Sequence, residues 1–445
     1  MTSLLVRGKV HTFDASRPVA TNLLLRDGVV QEVGSDAEHA DRIIELEPDE
    51  IVQPGWRDDH LHLLATLAIH SSVDVSGTAS LADLLDLLRS SSAGANGWMR
   101  AWGYEPSFLQ EKRHPTKLEL DQVTQGVPAV LHDRTGHVAV VNSAAADLLE
   151  LDDYADGILV ERQDLLSRVP KLDLADLKET ASDLFRDWKR MGLVAVTDAT
   201  HTNDRSSLDV LAEIAQECNG PRITAMVGAD RLDGMHFGEM YKGIQIGHAK
   251  VMPDLDGEED FGKLVNQAHA KGFPVAVHVM DIDMLDETLQ ALEVSPPPSL
   301  TLDRVEHCSL AMPEQLDRLA RLDAAVCTQP SFLTRRLEKY LEELSPVEQS
   351  WLWPLSSLVE RSIKVTLSSD SPVVPIDPEE WIRVATARPI QSQEAISDFE
   401  ARAMTIVSPL VPGIVARSLI RATSSGYKTL DDLNWLRSRT REESD

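Results

Sequence analysis

Short apolar runs, separated by turn residues and by helical segments, set the hydropathy pattern of this chain. The first fifty residues contain the runs LLVRGKV and NLLLRDGVVQEVG, and the second carries an Asp27-Gly28 pair that is typical of a hairpin turn. The short apolar runs on either side of this turn favour extended strands. The pattern predicts a small, β-sandwich-like domain over residues 1–52.

From about residue 190 the pattern changes to β-rich apolar runs that alternate with helical segments. Such alternation is typical of βα units and a parallel sheet. Seven runs follow it: LVAVTDA, ITAMVGA, IQIGHAKVM, PVAVHVM, LDRVEHC, AAVCTQ and KVTLSSD. Together with the run that ends at His60 they make eight, the number of strands that closes a (β/α)8 barrel. We therefore predict an α/β fold with a TIM barrel over residues 53–400.

A ninth run, VPAVLHD at 127–133, falls between the first and second predicted barrel strands. These two strands are separated by far more chain than one helix and its loops require. The run is therefore assigned to an insertion after barrel strand one, at about residues 72–178. At the other end, residues 401–445 are predicted to form a helical segment around SPLVPGIVARSLIRA, packed on the barrel, followed by a charged tail.

The charge and the cysteine content of the chain indicate which partners and which cellular compartment to expect. The formal net charge of −29 argues against nucleic acid and anionic membranes as partners, because the summed field repels phosphates. Three cysteines without C-x-x-C spacing suit a reducing compartment. No stretch approaches the length of a membrane span, and the start has no long apolar region. We expect a cytoplasmic protein that acts on a small molecule; a homodimer is possible.

Candidate chemistry begins at the stretch QPGWRDDHLHL, residues 53–63, where two histidines stand one residue apart. In a strand, residues i and i+2 share a face, so both imidazoles could hold one metal ion. An H-x-H pair alone is weak evidence, since a polar strand end would look the same. The remaining candidates lie at later strand ends, spaced by one, one and two βα units of about 30 residues. The full set is His60, His62, Lys250, His278, His307 and Asp370.

All six side chains are expected at the mouth of the barrel, at the C-terminal face where TIM-barrel active sites lie. Taken singly, a strand histidine is more often a hydrogen-bonded core residue, and Asp370 before Ser371-Pro372 could form a turn. Their joint occurrence has no packing explanation, because barrel interiors prefer Val, Ile and Leu. The set therefore predicts a metal site.

Several stretches resemble the amidohydrolase superfamily, specifically amidohydrolase family 3, the group that includes N-substituted formamide deformylases. The matching segments run in family order from about residue 50 to 380: PGWRDDHLH, GWMRAWGYEP, GHVAVVNSAA, DGILVE, MGLVAVTDA, AKVMPDLDG, FPVAVHV, RVEHC, TQPSF and LSSDSPVVPIDP. The resemblance implies a two-metal hydrolase in which the six residues above are the ligands. It also implies that Lys250 is carbamylated and bridges the ions, and that His137 contacts the substrate.

Carbamylation has a physical reason, because a lysine ammonium has donors and no lone pair and cannot ligate a cation. Zinc is the expected ion, since the ligands offer nitrogen and oxygen; iron or manganese would also fit. In the implied reaction, metal-activated hydroxide attacks a non-peptide amide, N-formyl, N-acyl or cyclic amide bond. Asp370, besides being a ligand, would carry the proton to the leaving nitrogen.

Two other functions remain open at this level. A heterocycle deaminase would use a similar barrel with one metal, although such sites usually lack the bridging lysine. A degenerate member of the family would bind a ligand without turnover. The family tends to have H-A-x-G-D after the strand-five histidine, whereas this chain has H-V-M-D-I from His278 and lacks the family's Gly-rich C-terminal segment, and both departures favour this interpretation. The complete set of ligands argues against it. The substrate itself is not identified by the sequence, because specificity depends on loop side chains.

Overall fold

The computed structural model describes residues 3–37, 39–134, 136, 138–151, 154–166, 168–253, 261–298, 301–423 and 426–429. It separates into two compact units, one comprising residues 1–62 with 184–445 and the other comprising residues 63–183. The first unit contains a barrel and a small sheet, and the second is the inserted segment.

Eight parallel strands form the barrel, and all follow one another in chain order around the sheet. Barrel strands one to eight are Trp56–Leu61, Leu193–Asp198, Arg222–Gly228, Ile244–Val251, Val275–Val279, Arg304–His307, Ala325–Thr328 and Val365–Leu367. The short strand Met240–Tyr241 pairs antiparallel with barrel strand four. Both faces of these strands are covered, which explains why they appear in the sequence as nearly continuous apolar runs.

The barrel closes where the end of strand one meets the segment after strand eight. The backbone N–H of Asp370 donates to the carbonyl of His60 at 2.7 Å, and that of His62 donates to the carbonyl of Ser371 at 2.7 Å. Leu61 and Ser371 form a parallel bridge between the same segments. The predicted α/β barrel is thus observed, with all eight strands at the predicted runs. Its closure brings the first and last predicted metal ligands side by side.

Helices follow most barrel strands and cover the outside of the sheet, as βα units require. In the first unit they are Arg205–Glu217, Phe261–Ala270, Ile282–Val294, Pro313–Leu322, Ser331–Arg335, Leu337–Glu343, Pro346–Gln349, Leu355–Glu360, Pro378–Thr386 and Asp398–Ala403, with 3-10 turns at Ser392–Glu394 and Ala416–Ser418. Helix Leu174–Arg190 leads from the inserted segment into barrel strand two. Among the described residues, every helix is too short or too polar to traverse a lipid bilayer.

A separate sheet of seven strands combines both ends of the chain. Its members are Ser3–His11, Val19–Arg26, Val29–Val33, Arg42–Glu45, Ile51–Pro54, Leu419–Thr423 and Gly426–Thr429. Leu419–Thr423 pairs antiparallel with Ile51–Pro54. The predicted helix around residues 408–422 is therefore wrong over its last part. A short apolar run does not distinguish strand from helix, and pairing with a distant partner decided the outcome. The tail from residue 430 onwards lies outside the described residues.

The inserted unit, residues 63–183, carries its own five-stranded sheet. Its strands are Val73–Asp74, Met99–Tyr104, Ala129–Asp133, Val138–Val141 and Ile158–Val160. Its complete helices are Leu63–His70, Leu81–Ser90, Lys117–Thr124, Ser143–Leu149 and Gln163–Leu166. The ninth apolar run of the sequence is the central strand of this sheet and does not belong to the barrel sheet.

Candidate metal centre

The six predicted metal ligands all lie at the C-terminal ends of barrel strands or directly after them. Two flank the end of strand one, one lies in each of strands four, five and six, and one follows strand eight: His60, His62, Lys250, His278, His307 and Asp370. His60, Lys250 and His307 are at most 2% exposed, whereas His62 and His278 are half-buried and open the group towards solvent.

His60, His62 and Asp370 form the first part of the centre. Their ligand atoms lie within 4.8 Å of one another, close enough to hold one metal ion. Oδ1 of Asp370 lies 3.2 Å from Nε2 of His62 and 3.5 Å from Nε2 of His60. Burial acts to raise the pKa of Asp370, but the hydrogen bond with His62 and the neighbouring imidazoles hold it well below its usual range. The carboxylate is therefore ionised and available as a ligand.

His278 and His307 form the second part. Nε2 of His307 lies 3.0 Å from Nδ1 of His278, and the His307 ring centroid lies 4.7 Å from that of His60. Burial lowers the pKa of His278 to about 3 and holds the pKa of His307 well below its ordinary value, with nearby cationic groups adding to the effect. Neutral imidazoles have a free lone pair, so both side chains are in the protonation state that a metal requires.

Lys250 lies among these groups, and within the described part of the chain its fully buried Nζ has no hydrogen-bond partner. Burial lowers its pKa, and Glu306 and Asp370 are the nearest opposing charges. A buried amine without a partner is costly unless another group satisfies it. A buried amine without a partner is therefore expected at a site where Lys250 binds a further group.

Glu306 is a functional candidate that the sequence analysis missed. It is fully buried and accepts a hydrogen bond from Nδ1–H of His60, while its other oxygen accepts one from Nε of Arg304. Arg304 also donates to the carbonyl of Asp59 at 2.9 Å. This arrangement fixes the tautomer of His60 and leaves its Nε2 lone pair directed at Asp370. The signal was present as the R-V-E alternation in strand six, which places two opposite charges on one face.

Two further side chains orient the remaining histidines. Nδ1–H of His307 donates to Oε1 of Gln329 at 2.7 Å, and Gln329 is held in turn by the hydroxyl of Ser368 at 2.9 Å. Nδ1 of His62 lies 3.0 Å from Oγ1 of Thr200. Each contact fixes the ring through the nitrogen that faces away from the centre, as is usual for metal-ligating histidines.

Backbone geometry also holds the centre in place. His307 and Asp370 have left-handed backbone conformations, with φ of 65° and 63°, which non-glycine residues rarely adopt. Asp58 is buried below His60 and accepts backbone hydrogen bonds from His60 and Ser369, each at 3.2 Å, and one from the Ser369 hydroxyl. Burial raises the pKa of Asp58 to about 7. Asp58 therefore ties strand one to the segment that carries Asp370.

A second group of potential ligand atoms comprises His60, Glu306 and Cys327. Two observations disfavour a cation there. The guanidinium of Arg304 already neutralises Glu306, and burial raises the pKa of the Cys327 thiol to about 12, so that it is not a thiolate. The first group, with its ionised carboxylate and neutral imidazoles, is the better candidate.

His137, predicted to contact substrate, lies outside the described residues. The segment after His278 has a structural role, because Asp281 is the N-cap of helix Ile282–Val294 and accepts a hydrogen bond from the backbone N–H of Met284 at 2.8 Å. The acidic residue in that segment therefore begins a helix.

Comparison with known proteins identifies a family and a shared fold. A protein-family model described as "Amidohydrolase family" matches residues 49–391. N-substituted formamide deformylase of Arthrobacter pascens is 26% identical, covering 91% of this chain and 88% of that protein. An uncharacterised metal-dependent hydrolase from Pyrococcus horikoshii OT3 superposes with a TM-score of 0.80 at 21% identity, over 94% of this chain and 97% of that chain. Atrazine chlorohydrolase TrzN from Arthrobacter aurescens TC1, solved with zinc, gives a TM-score of 0.54 at 14% identity, over 94% and 86% of the two chains.

Proposed function

Because the chain belongs to the amidohydrolase family, we propose that it is a metal-dependent hydrolase that cleaves a non-peptide C–N bond in a small molecule. An N-formyl, N-acyl or cyclic amide is the substrate class. The similarity to an N-substituted formamide deformylase supports this bond type. The net charge of −29 supports a small molecule over nucleic acid as the partner.

The orphaned amine of Lys250 is the observation that carries the proposal. As an ammonium it could not ligate a cation, but as the neutral amine favoured by burial it can add to CO2 with release of a proton. The resulting carbamate would supply oxygen ligands to divalent ions. His60, His62 and Asp370 would hold one divalent ion, His278 and His307 the other, and Lys250 would bridge them.

Zinc is the ion we propose, since the donor atoms are imidazole nitrogens and carboxylate oxygens. A structural neighbour solved with zinc supports this choice. When bound, the ions lower the pKa of water and polarise the substrate carbonyl. We expect two equivalents of metal per chain.

Asp370 does the proton transfer in this mechanism. Its carboxylate is ionised and faces the centre, so it can accept a proton from the attacking water and return it to the leaving nitrogen. Water adds to the carbonyl carbon, the C–N bond breaks, and the products are a carboxylic acid and an amine. Glu306, Gln329 and Thr200 keep the imidazoles oriented and do not touch the substrate.

Cysteines that form no disulfide are consistent with the proposed cytoplasmic location. All three cysteines lie in the described part of the chain, are buried and form no disulfide. Reduced cysteines are the rule in a reducing compartment.

The test is turnover by the zinc-reconstituted protein on a panel of N-formyl, N-acyl and cyclic amides, with amine and carboxylate measured together. Release of both products in equal amounts is the expected result. Release of ammonia from heterocyclic amines, with no amide cleaved, would make the protein a deaminase. Metal binding without any product would make it a ligand-binding member of the family.

A matched pair of variants assigns the activity to the centre. His307→Asn should lose bound metal and turnover, because it removes a buried ligand. His236→Asn changes an exposed histidine outside the centre and should retain both. Equal activity of the two variants would contradict the assignment.

A further inference from the structure

A second pocket opens at the opposite end of the barrel from the histidines. It measures about 270 Å³ and lies at the N-terminal ends of barrel strands two and three. Seven residues of strand three separate its rim from the mouth, a distance of roughly 20 Å at about 3.3 Å per residue. The pocket therefore cannot be part of the metal centre.

Positive charge is concentrated at this pocket in a chain with a net charge of −29. Arg222, Arg417 and Lys189 line it, together with the carboxamide of Asn219. Among the described residues, neither Arg222 nor Arg417 has a hydrogen-bond or ion-pair partner for its guanidinium, although carboxylates are abundant elsewhere in the chain. Most other arginines of this unit, such as Arg318 with Glu293 at 2.8 Å, are paired.

The two guanidiniums also act on each other. Partial burial lowers the pKa of Arg222, and the positive charges of Arg417 and Arg57 lower it further. The charge of Arg57 is balanced by Asp59, whose carboxylate lies 3.1 Å from the Arg57 guanidinium. The repulsion between Arg222 and Arg417 has no such compensation among the described residues. Like charges placed together without a counterion are unfavourable, and a bound anion would relieve the repulsion.

Apolar side chains also line the pocket. They include Phe185, Leu193 and Ile223, and the volume of the pocket is slightly below the range of about 300–1,000 Å³ for small-molecule sites. A pocket with a cationic rim and an aliphatic and aromatic wall suits a small organic anion. Since guanidiniums bind phosphate oxygens in a bidentate manner and two guanidiniums match a dianion better than a monoanion, phosphate is the preferred group.

We propose that this pocket binds a phosphate group, either as inorganic phosphate or as the phosphoryl group of a small phosphomonoester. Arg222 and Arg417 hold the phosphate oxygens, Lys189 adds charge, and Asn219 donates from its amide. The apolar wall contacts the organic part of a phosphomonoester. This site is independent of the C–N hydrolysis proposed above.

Equilibrium dialysis of the zinc-loaded protein against inorganic phosphate, and in parallel against phenyl phosphate, tests the proposal. Arg222→Gln and Arg417→Gln should each weaken binding at this site by about tenfold or more, because each removes a charged hydrogen bond. Both side chains are exposed, so neither substitution should affect folding. Lys364→Gln is the matched control, since Lys364 is an exposed cation at the same end of the barrel and does not line the pocket.

Phosphate that binds at the metal centre is expected in every variant, so the number of phosphate ions bound per chain is compared. The variant that carries both Arg222→Gln and Arg417→Gln should bind one fewer than the wild type. Tighter binding of phenyl phosphate than of inorganic phosphate would identify a phosphomonoester as the ligand; equal binding would identify the free anion. The proposal is overturned if the wild-type protein binds neither probe at millimolar concentration, or if the double variant binds both as the wild type does.

Discussion

Glu306 is a single buried carboxylate that contacts two charged or polar side chains. It neutralises Arg304 on one side and orients His60 on the other, and all three side chains are buried. Glu306→Gln keeps the shape but removes the charge, so His60 loses its fixed tautomer. We expect zinc affinity to fall by about 10–100-fold, measured by competition with a chelator.

Glu293→Gln is the matched control, because Glu293 is paired with Arg318 on an exposed helix surface. An unchanged zinc affinity in Glu306→Gln would show that the orientation of His60 does not depend on the carboxylate.

Asp370→Asn separates metal binding from proton transfer. The variant keeps an oxygen for the metal but has no base, so zinc content should fall less than turnover does. General acid–base catalysis typically contributes about 10²–10⁴-fold, and we expect kcat to fall at least into that range. Steady-state kinetics with parallel zinc analysis provides the measurement. A near-normal kcat would assign the proton transfer to another group, and His137 would be the next residue to substitute.

Lys250→Ala removes the proposed bridge. We expect this variant to lose zinc and activity and to regain part of both when short carboxylic acids are supplied, because their two oxygens can replace those of a carbamate. Rescue is measured as turnover against acetate or propionate concentration. If chloride at equal ionic strength restored turnover to the same extent, the carboxylic acids would not be acting by replacing the bridge.

Among the secondary-structure elements, the candidate ligands at the strand ends could be predicted from the sequence. The side chains that orient these ligands could not. Alternation placed His60 and His62 on one face, and the βα period placed Lys250, His278 and His307 one unit apart. Gln329 and Thr200 carry no such signal, since a single polar residue after a strand is common. Their roles depend on register between neighbouring strands, which the sequence of one strand does not contain.

Asp281 stabilises the start of the helix that follows barrel strand five. As N-cap of helix Ile282–Val294 it satisfies a backbone N–H, so Asp281→Ala should lower the free energy of unfolding by about 1 kcal/mol and leave zinc content unchanged. Denaturant unfolding with zinc analysis checks both. Asp283→Ala, in the first turn of the same helix, should have a smaller effect because it loses only the interaction with the helix dipole. Loss of zinc in Asp281→Ala alone would assign Asp281 to the centre.

At the scale of the whole molecule, the two ends of the chain are joined by a buried ion pair. Arg421 contacts Glu50 with both side chains 9% exposed. Arg421→Ala leaves the buried charge of Glu50 without its cationic partner, and we expect a loss of about 3–5 kcal/mol in the unfolding free energy. Arg7→Ala breaks the exposed pair with Glu45 in the same sheet and should cost about 0–1 kcal/mol. Thermal and denaturant unfolding compare the two; similar losses would contradict the role of burial.

The contact between Leu419–Thr423 and Ile51–Pro54 also bears on how the protein is made. Some 365 residues separate Pro54 from Leu419, so the ribosome must synthesise almost the whole barrel before the second strand exists. At about 5–20 residues per second this interval is roughly 20–70 s. During that time the edge of Ile51–Pro54 is unpaired on one side, next to the strand that begins the barrel. The small sheet is therefore the last part of this unit to be completed, after translation has passed the final barrel strand.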